Sequence, residues 1–427
     1  MLSHATVWEE IMERPLITRM KDRDYSPSPL PSPVKGEGPF PPFPLMPLLI
    51  LVGIFYLNFL SRIVLAPLLP VLEEELGLGY GGAGSLFFFI AAGYGAGLLG
   101  SGFISSRLIH QHTITWSILA VGGAMFFVSR STSIKEMHAG LLLIGLFAGI
   151  YLPSGIATLT GLVRKEQWGK ALAIHELGPN LGLITAPLLS EALLKIFSWR
   201  GALAIISISA ILMGILFRFL GQGGKDKAER PRFQSVHEIV GSRFFWIMAT
   251  LFTASIGSSI GAYTMMPLFL VSEVGMERGW ANTLIGLSRT FGVVVLFSSG
   301  LIIDRAGPKK ALPIFLAATG LFTLLLGITH GSVTTPILVF LQAAATACLF
   351  PVGFTIISLI FPSHLRSSAV SLVVFIGFFL GGGVIPSGIG YWAEAFSFSS
   401  GFTLLGVFFL IVLPLFLLTM KRLNPSE

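Results

Sequence analysis

Three charged side chains interrupt long apolar runs of this chain. Arg62 lies 16 residues into a run that begins at Met46, and Glu176 and Arg289 lie inside later runs. A charge in an apolar environment costs several kcal/mol unless it meets water, a partner or a ligand. These three residues are therefore the first candidates for chemistry.

A buried arginine suits anion binding, because its guanidinium presents a planar fork of donors to a carboxylate or phosphate. Asn58 lies one helical turn from Arg62 on the same face, so we interpret the pair as an anion site. The structural alternative for Arg62 is an ion pair inside the protein or contact with an aqueous interface. Arg289 either completes the anion site or pairs with a group such as Glu273.

A carboxylate in an apolar environment can bind and release a proton near neutral pH, and histidine titrates in the same range. The adjacent residues His175 and Glu176 therefore predict a proton-binding site. The alternative is that Glu176 is solvated, or pairs with Lys170 or Arg164. Neutral side chains in other apolar runs that can hydrogen-bond a ligand are Tyr263 and Gln342.

The elements that must position these residues are membrane helices. A mean hydropathy of +0.81, with 53% hydrophobic and 11% charged residues, excludes a water-soluble chain of this length. A helix needs about 20 apolar residues to cross a hydrocarbon core of roughly 30 Å. Twelve runs meet this requirement, and we number them spans 1 to 12: 46–70, 83–105, 113–130, 137–162, 170–194, 201–220, 244–271, 280–303, 309–329, 333–360, 367–392 and 399–420. The predicted fold class is an all-α membrane protein.

The sequence contains an internal repeat with an offset of 198 residues. Gly300–Lys310 reads GLIIDRAGPKK, Gly102–His112 reads GFISSRLIHQH, and the same offset maps Pro153 onto Pro351. Homologous halves are common in secondary transporters. We therefore predict two six-helix bundles at 46–220 and 244–420, with a cytoplasmic linker at 221–243 and a cytoplasmic tail at 421–427.

The distribution of positive charge predicts the orientation. With both termini inside, 21 of the 28 Lys and Arg residues lie in tails and inside loops, as expected for loops retained in the cytoplasm. We therefore predict an integral protein of the cytoplasmic (inner) membrane with both termini cytoplasmic. The net charge of +7 then reflects topology and contact with membrane lipid, and we expect no nucleic-acid partner. We expect a monomer.

The first 45 residues differ from the rest. They are charged up to Asp24 and then read SPSPLPSPVKGEGPFPPFP, a Pro-rich stretch that cannot hold a helix. We predict disorder there. The stretch also resembles translated repeat DNA, which raises the hypothesis that translation starts at Met46. N-terminal sequencing of the purified protein tests this hypothesis.

Enzyme, cofactor and metal functions find no support in the sequence. It has no glycine-rich phosphate loop with Lys and Ser or Thr, and no nucleophile can be placed beside a base within a span. The 8 histidines are scattered and do not form a helical metal pair. The single cysteine, Cys348, has no disulfide partner. We therefore predict no enzymatic activity, no cofactor and no metal site.

A loop between spans 8 and 9 resembles the signature loop of the major facilitator superfamily. Its matching residues are Gly300, Asp304, Arg305, Gly307, Lys309 and Lys310. The resemblance covers about residues 46–420 and implies a carrier that works by alternating access. In the family the acid helps to lock the outward-open state, which implies that Asp304 faces the start of span 5 at 167–171. The first-half copy keeps Arg107 but has Ser106 in place of the acid, so it lacks the acid that the gate of the family uses.

Spans 1 and 5 resemble two branches of that family, the organophosphate:phosphate antiporters and the anion:cation symporters. Arg62 stands eight residues before a proline as in those branches, and GKALAIHELGPNLGLITAPLL at 169–189 resembles the organophosphate branch without gaps. The resemblance implies that Arg62 contacts the anion, and it adds Asn180 to the candidate contacts. The phosphate-handling branch has a second arginine on span 7, where this chain has Ser259. One arginine fits a singly charged organic anion better than a phosphate dianion.

The sequence therefore predicts a secondary active transporter that moves a small organic solute, an organic anion above all, with a proton or counter-solute as coupled species. One alternative is a multidrug or metabolite efflux carrier on the same fold, which the 36 phenylalanines would suit. The other is a ligand receptor with carrier architecture and no net flux. Uptake into proteoliposomes separates a carrier from a receptor.

Overall fold

All regular structure in the described part of the chain is helical. The computed structural model describes residues 43–228, 234–361 and 363–422, without the side chains of 234, 235, 297–304, 306, 308, 309, 359, 363, 364, 367, 415 and 418–422. The helices of the first half are α1 (Leu45–Ile63), α2 (Leu65–Leu76), α3 (Gly79–Ser105), α4 (His110–Arg130), α5 (Ile134–Leu162), α6 (Trp168–His175), α7 (Leu177–Leu194) and α8 (Trp199–Leu220). Those of the linker and second half are α9 (Gln234–Val240), α10 (Arg243–Ile256), α11 (Ala262–Leu268), α12 (Arg278–Ala306), α13 (Pro308–Ile328), α14 (Thr334–Ala347), α15 (Leu349–Ile360), α16 (Ser363–Phe379), α17 (Ile385–Ala395) and α18 (Phe398–Arg422). The tail for which we predicted disorder lies outside the described residues up to position 42.

Ten helical segments of the described chain are long and apolar enough to cross a membrane. They are Leu45–Leu76, Gly79–Ser105, His110–Arg130, Ile134–Leu162, Lys165–Leu194, Trp199–Leu220, Arg243–Glu273, Lys310–Ile328, Thr334–Ser358 and Ser368–Ala395. Each of them overlaps a predicted span. Predicted span 8 coincides with α12, and span 12 coincides with α18, of which Phe398–Pro414 forms a shorter apolar helix. The prediction of an all-α membrane protein is confirmed.

Span 1 is longer than predicted, because Pro70 does not end it. The span continues to Leu76 and is 32 residues long, since a proline removes one backbone donor while the other helical bonds are kept. It ends at Gly77, whose φ of 59° is left-handed and costs glycine no steric strain. Arg62 therefore lies near the middle of the span, in the last turn of α1.

Spans 7 and 11 approach each other closely where both helices widen into a π turn. The π turns are Gly257–Gly261 and Leu380–Val384. A side chain at Gly381 would place its Cβ only 2.7 Å from the backbone of Gly257 and Thr253, so only glycine permits this contact. Such π turns often lie at functional sites, and this one lies beside the residues described below.

The two halves of the chain are joined by polar contacts at the end where spans 5 and 8 meet, which we call the closed end. Arg278 pairs with Glu191 across the halves at 2.9 Å. Asn282 donates to the same carboxylate at 2.7 Å and to the carbonyl of Pro67 at 3.2 Å. At the adjoining contact between spans 2 and 11, the amide of Gly81 donates to Glu394 at 2.9 Å and Ser387 donates to the carbonyl of Gly84 at 3.1 Å. Separating the halves here requires all of these bonds to break.

Candidate functional site

Arg62 is buried without an acidic partner. Its side chain is 6% exposed, and no carboxylate of the described side chains lies within 4.0 Å of it. Nε donates a long hydrogen bond of 3.4 Å to the carbonyl of Asn58. The guanidinium carbon lies 4.2 Å from the ring centre of Tyr94 and 4.9 Å from that of Phe59. Aromatic faces and the carboxyl end of α1 therefore hold the charge, and an anion remains the natural counter-charge.

Arg62 lines a cavity between the two halves of the chain. The cavity has about 340 Å³ of empty space, including the part open to solvent. Its walls include Phe59, Phe87 and Tyr94 from the first half and Ile260 and Phe378 from the second half. A small ligand at Arg62 would touch both halves.

Two predicted contacts, Asn58 and Gln342, form mirror-image links within the halves. Nδ2 of Asn58 donates to the carbonyl of Ala148 at 3.1 Å, which joins spans 1 and 4. Nε2 of Gln342 donates to the carbonyl of Ser258 at 2.9 Å, which joins spans 10 and 7. Both side chains are 1% exposed, and their oxygens have no partner in the described structure. In each side chain, the amide nitrogen therefore links two spans, and the amide oxygen remains a buried acceptor that a ligand could use.

His175 is buried against two aromatic rings. Its Nε2 lies 2.8 Å from the hydroxyl of Tyr151, which donates to the carbonyl of Leu51 at 3.1 Å. The imidazole stacks on Phe55 with 4.4 Å between ring centres, and its Nδ1 has no partner among the described residues. Because the tyrosine proton goes to Leu51, Nε2 must carry a proton and Nδ1 is the open acceptor.

Glu176 lies between α6 and α7, next to His175, with its side chain exposed. Its carboxylate interacts electrostatically with Tyr94 and Tyr151, which are both buried. Asn180, the predicted contact one turn further on, donates to the carbonyl of Glu176 at 2.8 Å.

Arg289 is buried in the second half and is not among the residues that line the Arg62 cavity. It is 7% exposed, its guanidinium carbon lies 5.0 Å from the ring centre of Tyr263, and its Nε has no partner in the described structure. The hydroxyl of Tyr263 donates to the carbonyl of Leu183 across the halves at 3.3 Å. Glu273, the alternative partner of Arg289, instead accepts from the amide of Phe398 at 2.6 Å and caps α18.

A family model of the Major Facilitator Superfamily matches residues 51–341 and 296–427. The chain belongs to this superfamily. The 4-hydroxybenzoate transporter PcaK of Pseudomonas putida is 23% identical over 394 residues, which cover 83% of this chain and 84% of the relative. The multidrug resistance protein MdtL of Klebsiella pneumoniae (strain 342) is 22% identical over 263 residues, 58% of this chain and 66% of the relative.

The fold of the superfamily is also found by structural comparison. A bacterial homologue of the human lysosomal transporter Spinster, in an inward-facing and unoccupied conformation, superposes with a TM-score of 0.76 at 15% identity. The match covers 90% of this chain and 98% of the homologue. With the family match, it identifies the protein as a secondary transporter of the major facilitator fold.

The superfamily's signature loop is described only in part. Gly307 has a φ of 78°, a conformation that favours glycine and allows the sharp turn between α12 and α13. Arg305 and Lys310 are exposed. The side chains of Asp304 and Lys309, like residue Gly300, lie outside the described side chains, so the contact of Asp304 with the start of span 5 remains a prediction.

The first-half copy of the signature loop is bound by the linker. Arg107 is exposed. On either side of it, Ala228 donates from its amide to the carbonyl of Ser105 at 2.9 Å, and the amide of His110 donates to the carbonyl of Asp226 at 3.0 Å. This loop, which lacks the acid of the signature, is thus fastened by main-chain bonds from the segment that follows span 6.

Tyr94, Tyr151 and Phe378 are site residues that the sequence did not single out. Aromatic side chains are common in membrane helices, so their type gives no signal. Their position opposite Arg62 or His175 depends on how spans 2, 4 and 11 pack. One signal in the sequence pointed to Tyr94. This residue lies within GYGAG at 93–97, where the small neighbouring residues allow another helix to approach closely.

Proposed function

We propose that this transporter carries a small organic monoanion, and that Arg62 binds its charged group. The observation that carries the proposal is a guanidinium that is 6% exposed, unpaired with any described acid, and turned to a cavity shared by both halves. A buried unpaired charge is costly, so a ligand that neutralises it gains more than it would at the surface. The substrate in the name of the Pseudomonas relative, 4-hydroxybenzoate, is a carboxylate of this kind.

The proposed architecture is the predicted one, with twelve spans in two six-helix bundles and the linker at 221–243. The protein would lie in the cytoplasmic membrane with both termini inside, as the positive loops favour. The closed end then faces outside. Arg62 lies between this end and the cytoplasm, so alternating access would open the cavity to either side in turn.

A proton is the proposed coupled species, bound at Glu176 with His175 beside it. The carboxylate is exposed and interacts electrostatically with Tyr94, whose ring lies against the Arg62 guanidinium. Tyr94 therefore interacts with both the proposed anion site and the proposed proton site. Binding of one species alters the electrostatic environment of the other through this residue.

Uptake into proteoliposomes tests the proposal. The probes are labelled benzoate, cyclohexanecarboxylate and inorganic phosphate, with Arg62→Ala, Arg62→Lys and the exposed control Arg130→Ala. We expect wild type and control to take up one or both organic monoanions more than phosphate. Arg62→Ala should abolish uptake, while Arg62→Lys should keep part of it because it retains the charge without the fork. Equal uptake by wild type and Arg62→Ala would contradict the anion site, and tight binding without flux under any gradient would favour a receptor.

Efflux of apolar drugs is the second candidate, favoured by the MdtL relative and by the aromatic walls of the cavity. The two candidates differ in what neutralises Arg62. A cationic drug would leave the guanidinium unpaired, and the positive charge of Arg62 would repel such a drug. Resistance to cationic drugs that is unchanged in Arg62→Ala would therefore support efflux over anion transport.

A further inference from the structure

We infer that the site selects planar aromatic monocarboxylates, and that Phe378 is the residue that recognises the ring. This inference rests on the proposed transport of organic monoanions and names the chemical class within it. Phe378 belongs to span 11, in the half of the chain that does not contribute the arginine of the cavity. The polarity of the walls, the arrangement of the rings and the internal repeat support this assignment.

The walls offer one charged group and little else that is polar. Among the cavity-lining residues, only Arg62 and Tyr94 carry polar side-chain atoms, and the others are aliphatic, aromatic or glycine. A buried hydroxyl or second charge without a partner costs about 1–3 kcal/mol or more. Sugars, hydroxy acids with several hydroxyls and dianions would therefore be rejected, whereas a single carboxylate on an apolar body would be accepted.

The rings around Arg62 suit a flat ligand body. The ring centre of Phe378 lies 5.6 Å from the guanidinium carbon and 5.1 Å from the ring centre of Tyr94, at an interplanar angle of 49°. Aromatic pairs prefer centre distances of about 4.5–7 Å in tilted or offset arrangements. Phe378 is half-buried and lines the cavity, so its ring can contact a ligand whose carboxylate reaches Arg62.

The internal repeat also indicates that the first half binds the charged end of the ligand and the second half binds its ring. At the offset of 198, Arg62 corresponds to Ile260 and Asn180 corresponds to Phe378. Both second-half residues line the cavity. Matched by its spacing to the following proline, Arg62 instead corresponds to Ser259, so in either alignment the second half has no charge at this position. The carboxylate end of a ligand matches the first half and its ring matches the second, so an aromatic acid would connect the halves.

A substitution at Gly382 provides a second test of the ring site with a smaller structural change. It lines the cavity, and a Cβ added there would lie 3.6 Å from Phe378 and 3.8 Å from Ile256, which are ordinary contacts. Gly382→Ala should therefore fold and place a methyl group in the cavity. Gly388 is a matched control on the same span, because a Cβ there meets nothing within 4 Å and the residue does not line this cavity.

The test compares benzoate with cyclohexanecarboxylate, which has the same charge but a puckered saturated ring. Concentration-dependent uptake of each is measured in proteoliposomes for wild type, Phe378→Leu, Gly382→Ala and Gly388→Ala. We expect wild type to prefer benzoate. Phe378→Leu should lower that preference by roughly 2- to 10-fold, the range of an aromatic pair. Gly382→Ala should weaken the uptake of both ring acids, and Gly388→Ala should match wild type.

The outcomes separate the inference from the proposed function. If wild type takes up both acids equally, or if the preference for benzoate is unchanged in Phe378→Leu, the ring assignment is wrong while anion transport stands. If no organic anion is taken up under any imposed gradient, the proposed function fails and the inference fails with it. A loss of preference in Phe378→Leu with uptake of cyclohexanecarboxylate retained supports the inference, since the retained uptake shows a folded carrier.

Discussion

The two halves of the chain each contain a buried arginine over a tyrosine, but the two pairs are arranged differently. In the first half, Arg62 on span 1 lies over Tyr94 on span 2 at 4.2 Å. In the second half, Arg289 on span 8 lies over Tyr263 on span 7 at 5.0 Å. Spans 1 and 2 correspond to spans 7 and 8 in the repeat, so arginine and tyrosine have exchanged helices.

This exchange separates ligand binding from contact between the halves. Arg62 lines the cavity, whereas Arg289 does not, and Tyr263 instead bonds a carbonyl of the first half. The proton-binding candidate follows the same division, because the repeat offset places Val374 opposite Glu176. Charge chemistry is concentrated in the first half, and the second half supplies an apolar wall and a link to its partner half.

The largest expected difference is between the two arginines. Arg62→Ala should lower the affinity for benzoate by roughly 150- to 4,000-fold, since removing one partner of a buried charge pair costs about 3–5 kcal/mol. Arg289→Ala should change affinity by less than about threefold, because its guanidinium lies outside the cavity, even if transport slows. Binding to the purified proteins by isothermal titration calorimetry measures both.

An equal loss of affinity in the two variants would overturn the comparison. It would mean that Arg289 reaches the ligand and completes the anion site from the second half, as the sequence alone allowed. Retained thermal unfolding temperatures would be required in both variants, so that the loss is assigned to binding and not to folding.

The sequence predicted the spans and the two buried arginines well, but not that Glu176 is exposed or which side chains meet. Apolar length and the cost of charge in lipid act locally, so they located the helices and singled out Arg62, Glu176 and Arg289. Contacts between helices depend on the packing angle and rotation of each span. The sequence therefore missed Tyr94 and Phe378, and it offered Glu273 as a partner of Arg289, although that carboxylate caps α18.

Pro70 shows a different limit. A proline in an apolar run predicts the end of a helix, but the helix can continue past it when the neighbouring backbone hydrogen bonds are kept. The helix continues to Leu76, which places Arg62 close to mid-span. The predicted end of span 1 was therefore wrong, and it placed Arg62 nearer to the end of the span than it lies.

The next effect concerns Glu176, whose counterpart in the second half is Val374. Coupling to one proton gives roughly tenfold accumulation of an anion per unit of pH gradient, equal to about 1.4 kcal/mol. Wild type should approach this value, and Glu176→Gln should only equilibrate the anion because it cannot bind a proton. The exposed Glu166→Gln is the control. Accumulation of benzoate in proteoliposomes with an imposed pH gradient is the measurement, and unchanged accumulation in Glu176→Gln would remove the coupling role.

A smaller effect is expected at the closed end, where two ion pairs allow a direct contrast. Arg278 and Glu191 connect the halves, whereas Arg200 and Glu75 pair within the first half. Glu191→Gln should shift the population toward opening of this end by roughly 2- to 5-fold, the range of a partly exposed pair. Glu75→Gln should leave it unchanged.

Distances between spin labels report this opening. Cysteines can be introduced at the exposed residues Ile196 and Val333, one in each half, with Cys348 replaced by alanine. A longer distance population should grow in Glu191→Gln. The same growth in Glu75→Gln would show that the effect comes from loss of charge at this surface and not from the contact between the halves.

The smallest expected effect separates the two tyrosines. Tyr263→Phe removes the 3.3 Å bond to Leu183 and keeps the ring over Arg289, so the halves should separate about twofold more readily, since one hydrogen bond contributes about 0.5–1.5 kcal/mol. Benzoate affinity should not change. Tyr94→Phe keeps the ring over Arg62 but removes the hydroxyl that interacts with both Arg62 and Glu176, so the pH dependence of uptake should change while the spin-label distances do not. If Tyr263→Phe altered pH dependence and Tyr94→Phe altered the distances, the roles of the halves would be the reverse of those argued from the structure.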